Sequence, residues 1–141
     1  MRGSAALLER SRSREIRWKH RKPCVVSDGS LLLDSNIIVH IFQGRSDIAS
    51  QLEGRMLYVS VVSRIELFAW PGPDTGRAKW LDAFLAECRI VELTKPIQEI
   101  TIDIKKRFKL PMADAMIAAT AVDLDVPLLT ADKDFKRLDS V

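Results

Sequence analysis

Apolar runs too short to be helices recur along this chain, and a segment of helical spacing follows each of the first three. LLL at 31–33, MLYVS at 56–60, RIVEL at 89–93 and LLT at 128–130 read as strands. LLL is apolar without alternation, as in a strand of a parallel sheet buried on both faces. Strands that alternate with helices predict an α/β fold, a three-layer sandwich with a short central parallel sheet flanked by helices.

The punctuation between the runs is regular. Ser35 or Asn36 is placed to cap a helix over Ile37, Ile38 and Ile41, and Gly44 stops it. SDIASQLE makes a short helix, Ser60 caps VVSRIELFAW, and PGPDTG is a loop. Thr75 is expected to open the next helix, in which Trp80, Leu81, Phe84 and Leu85 share a face. Thr94 caps another, with Pro96 in its first turn and Lys105, Lys106 and Arg107 in its last, the end a helix dipole favours for cations. Asp114 sits near the start of an Ala-rich helix, and Pro127 leads into LLT.

Composition narrows the function classes. The 141 residues suffice for one domain with a core, and 47% hydrophobic with 29% charged residues is ordinary for a globular protein. No apolar stretch approaches the ~20 residues of a spanning helix, and the start lacks the apolar segment of a secretory signal, so a cytoplasmic protein is expected. Cys24, Cys88, His20 and His40 are too scattered for a zinc site, and Cys88 reads as a small core residue. The net charge of +3 is uneven: residues 1–29 hold eight Lys/Arg against three acids, leaving −2 for the remainder. Residues 1–30 are therefore expected to be a basic extension, poorly ordered or locally helical, preceding a domain at 31–141. Its opening MRGS resembles an expression leader, and a functional basic tail is the rival reading.

In open α/β sheets, ligands bind beyond the carboxyl ends of the strands. Asp34 follows LLL and Asp132 follows LLTA, so both belong to that edge. Asp114 starts its helix, and Glu66 lies in a helix where Ile65, Leu67, Phe68 and Trp70 imply a buried face nearby. Each acid alone has an ordinary explanation: a helix cap, a dipole partner, a solvated glutamate, a polar turn. Four of them converging on one rim would repel one another unless a cation were present. Oxygen ligands without His or Cys suit Mg²⁺ or Mn²⁺, and such an ion is useful where the substrate is a phosphodiester.

LLLDSNIIVH, VVSRIELFAW, KLPMADAMIAATA and LLTADKDF, in that order, resemble the acidic motifs of PIN-domain nucleases, most closely VapC-type toxins of bacterial toxin–antitoxin pairs. The resemblance spans residues 31 to 138. It implies a Mg²⁺- or Mn²⁺-dependent endoribonuclease in which Asp34, Glu66 and Asp114 are core acidic ligands. Asp132 would be the fourth acid, with Asp134 a close rival. It also implies that Thr130 lines the site and that Asn36 orients groups near Asp34. A homodimer and an inhibiting antitoxin partner follow from the same likeness.

Arg64 and the group Lys105, Lys106, Arg107 and Lys109 are candidates for guiding an RNA backbone, against the ordinary reading of solvated helix residues. A non-catalytic PIN-like module binding RNA or protein is the alternative function. Other phosphate chemistries fit worse. A receiver domain wants two adjacent acids where Ser35 stands, a haloacid-dehalogenase-like hydrolase wants an acid where Asn36 stands, and no Gly-x-x-x-x-Gly-Lys loop exists.

Overall fold

The computed structural model describes residues 29–131 and two short strands, β1 (Ala6–Arg10) and β2 (Ile16–His20). The central sheet is formed by β3 (Ser30–Leu33), β4 (Met56–Ser60), β5 (Arg89–Val91) and β6 (Leu128–Leu129). Their order is β5-β4-β3-β6, and every neighbouring pair is parallel. The expected α/β sandwich is thus the observed architecture.

Successive strand side chains point to opposite faces, and this divides the core in two. Leu32, Tyr58, Val91 and Leu128 face α5 (Lys95–Arg107) and α6 (Met112–Leu124). Leu31, Leu33, Val59, Ile90 and Leu129 face the other layer. That layer is made by α1 (Ser35–Phe42), α2 (Ser46–Gln51), α3 (Val61–Phe68) and α4 (Arg77–Ala86). LLL can be uniformly apolar because helices cover both of its faces. The Ala-rich stretch of α6 is buried at Ala115, Ala118, Ala119 and Ala121, where small side chains let the helix lie close to the sheet and to α5.

Several caps match expectation. Ser60 accepts from the Val62 N–H at 3.1 Å, and Thr94 caps α5 with Pro96 in its first turn. Two caps differ. Asp34, not Ser35 or Asn36, is the N-cap of α1. Gly76, at φ 84°, precedes α4, and Asp74 rather than Thr75 accepts from the Ala78 N–H at 3.2 Å. A glycine adopts that left-handed backbone without a Cβ penalty, so the loop needs no hydroxyl cap there.

Two short strands are described within the basic arm. β1 and β2 form an antiparallel pair with Ala6 opposite His20 and Arg10 opposite Ile16, and β1 lies near β6 and α6. Strand pairing of this kind depends on a partner segment more than on local apolar periodicity, so the sequence shows little of it.

Candidate active site

Asp34 leaves β3 at its carboxyl end and is only 2% exposed. A carboxylate so buried requires hydrogen-bond donors, and the chain supplies them from both sides. The Ser35 N–H donates to Oδ1 at 2.8 Å. The Thr130 hydroxyl donates to Oδ2 at 2.6 Å, from a side chain that is itself 0% exposed. The Asp34 N–H donates to the Leu129 carbonyl at 3.1 Å, so backbone and side chain are both pinned to the end of β6. The two readings of Asp34, cap and site residue, are therefore compatible.

The neighbouring strand ends at the same edge. Leu33 is in register with Val59, which sets Ser60, and the start of α3, beside Asp34. Glu66 is exposed on α3, and its Oε1 accepts a hydrogen bond of 3.2 Å from the Ser35 hydroxyl. Ser35 thus touches both acids, through its N–H and through its Oγ. From its position in the sequence Ser35 reads only as a helix cap. Its pairing with Glu66, 31 positions away, depends on how α3 stands beside α1. The buried face of α3 is carried by Ser63 and Leu67, whereas Ile65, beside Glu66, is 57% exposed.

Asp114 lies half-buried in the first turn of α6, which packs against α3. Among the described residues no three of His, Cys, Asp and Glu stand close enough to hold a metal ion. Asp132 and Asp134 lie outside the described residues. The described site is thus a chain of contacts, Thr130 to Asp34 to Ser35 to Glu66, with Asp114 on the helix alongside. In chemistry the acids fit a hard cation, since all the donors they offer are oxygens.

The candidate RNA-guiding cations have local contacts of their own. Arg64 is exposed with its guanidinium 5.0 Å from the Phe68 ring centroid. A separation of two residues turns it about 200° around α3 from Glu66. Lys105 donates to the Leu110 carbonyl in the α5–α6 connection. Arg107 pairs with Asp103 at 3.5 Å and lies 5.4 Å from the Phe108 ring centroid. Cys88, expected in the core, is only half-buried and packs against the core on the α1–α4 side of the sheet; burial, reinforced by Glu87, pushes its thiol up to about 11.

The family model described as "PIN domain" matches residues 31–141. The chain belongs to the PIN-domain family. No curated protein matches this PIN domain. Among solved structures, it is similar to a chain of a toxin–antitoxin complex from Klebsiella pneumoniae, at 26% identity and TM-score 0.67, covering 74% of this chain and 89% of that one. It is also similar to a chain of VapBC2 from Rickettsia felis bound to a DNA fragment from its promoter, at 21% identity and TM-score 0.65, covering 77% and 92%. A chain of FitAcB from Neisseria gonorrhoeae is 21% identical with TM-score 0.65, covering 79% and 94%. The likeness to the last two is one of fold. Among the described residues, no helix of this PIN domain is long and apolar enough to cross a membrane.

Proposed function

We propose that this PIN domain is a divalent-metal-dependent endoribonuclease and the toxin of a toxin–antitoxin pair. The observation that carries the reading is the buried Asp34, held by Thr130 and Ser35 at the strand edge and joined through Ser35 to Glu66. In this reading Asp34, Glu66 and Asp114, with Asp132 as fourth acid, hold Mg²⁺ or Mn²⁺. When bound, such an ion supplies Lewis-acid polarisation of a phosphodiester and a water acidic enough to yield a nucleophile near neutral pH.

The chain's own residues do the rest. Thr130 and the Ser35 N–H keep the Asp34 carboxylate in one orientation, so it need not reorganise when ligand arrives. Arg64, with Lys105, Lys106, Arg107 and Lys109, attracts the RNA backbone toward the acidic edge by charge. Hydrolysis leaves a 5′-phosphate and a 3′-hydroxyl. Membership of the family and the likeness to a chain of a toxin–antitoxin complex support a partner antitoxin. In this reading the toxin is a homodimer and acts in the cytoplasm, where RNA is available. Residues 1–30 form an extension outside the nuclease domain at 31–141.

A second reading, a non-catalytic PIN module that binds RNA or protein, is favoured by the absence of a three-acid ligand group among the described residues. Thermal melting with added Mn²⁺ separates the two, because a ligand that binds the folded state raises its stability. The nuclease reading expects a higher Tm with Mn²⁺ that Asp34→Asn loses. An unchanged Tm for the parent protein would favour the binding module.

A further inference from the structure

Ser35 stands between two acids that are held very differently. Asp34 is buried, and it receives the Ser35 N–H and the Thr130 hydroxyl. Glu66 is exposed on α3, and its hydrogen bond from the Ser35 hydroxyl ties it to this edge. A solvated glutamate samples several rotamers, and fixing one of them costs side-chain entropy. A carboxylate required at one point in space therefore gains from a donor that selects its rotamer beforehand.

We propose that Ser35 is a positioning residue, whose hydroxyl holds the Glu66 carboxylate over the Asp34 edge in readiness for a divalent cation. The inference rests on the metal-dependent reading above. The chemistry of the donor suits the task. A hydroxyl orients Oε1 without neutralising the carboxylate, whereas a lysine or arginine there would repel the incoming cation. The bond occupies one of the two Glu66 oxygens and leaves the other for the ion. The two contacts of Ser35 are also separable: Ser35→Ala removes the Oγ bond to Glu66 and keeps the backbone N–H on Asp34.

The test is Mn²⁺ binding by titration calorimetry on the full chain, with cleavage rates measured across a Mn²⁺ series. The variants are Ser35→Ala, Ser35→Thr, Glu66→Gln and the double variant Ser35→Ala/Glu66→Gln. Loss of a group that orients a metal ligand weakens binding by about tenfold or more. Ser35→Ala is therefore expected to bind Mn²⁺ about tenfold more weakly and to recover its cleavage rate at saturating Mn²⁺. Ser35→Thr, which keeps a hydroxyl, should bind as the parent does. The double variant should bind no more weakly than Glu66→Gln alone, since the Ser35 hydroxyl acts through Glu66.

Parental affinity in Ser35→Ala, or a full additional loss in the double variant, would overturn the role of Ser35 and leave the nuclease reading standing. A parent protein that binds no Mn²⁺ would overturn both. Should Ser35→Ala fail to fold, Ser35→Cys takes its place: its thiol is a weak donor, so reduced affinity supports the role and parental affinity overturns it.

Discussion

Thr130 donates its hydroxyl to the Asp34 carboxylate at 2.6 Å, joining residues 96 positions apart at the ends of adjacent strands. Both side chains are buried, so neither has water as a substitute partner. A hydrogen bond to a charged group contributes ~1.5–3 kcal/mol. Thr130→Val, which keeps the shape and removes the donor, is expected to lower unfolding stability by about that amount. Thr130→Ser should restore most of it. Urea denaturation of the three proteins reads the difference directly.

Ser63 makes the opposite case. It is 0% exposed on α3, and among the described residues its hydroxyl has no hydrogen-bond partner. An unsatisfied buried hydroxyl costs roughly 1–3 kcal/mol, so Ser63→Ala is expected to be neutral or stabilising. A fall in the urea midpoint at unchanged slope would show that the hydroxyl contributes to the fold.

Leu32 is the central-strand residue that meets α5 and α6, with Ile97, Ile104 and Ile117 in the same core. Leu32→Ala leaves a cavity under both helices and should cost ~2–5 kcal/mol. Conservative Leu32→Met should cost less than ~1.5 kcal/mol, as volume is nearly kept. Chemical denaturation of the two variants checks the ranking.

The thiol of Cys88 is pushed up to about 11, from an ordinary value of 9.0, by burial and then by Glu87. Below pH 9.0 both folded and unfolded chains keep the proton, and the contribution to stability is fully present. Between 9.0 and about 11 the unfolded chain ionises first, so stability falls as pH rises through that window. Cys88→Ser should flatten this fall. In the folded protein at pH 8, Cys88 should react with a thiol reagent much more slowly than after unfolding.

The layer architecture was legible because LLL, MLYVS and RIVEL carry apolar residues for both faces of a sheet, and the turns between them hold Gly and Pro. What the sequence did not disclose was which leucine faces which layer: Leu32 meets α5 and α6, while Leu31 and Leu33 meet the opposite helices. Asp34 was legible as a strand-end acid, since position alone marks it. Ser35 was not, because a serine after an aspartate at a helix start reads as a cap until α3 brings Glu66 within 3.2 Å. Thr75 misled for a similar reason: Gly76 and Asp74 shape the start of α4 instead.

The most direct test of the account is cleavage of total cellular RNA by the purified protein, freed of any partner. It is run with Mg²⁺ or Mn²⁺, with a chelator, and alongside folded Asp34→Asn and Asp114→Asn variants. The account predicts discrete fragments bearing 5′-phosphates in the presence of metal, and none with chelator or with either variant. Intact RNA from the folded parent protein in both metals, or equal cleavage by Asp34→Asn, would contradict it.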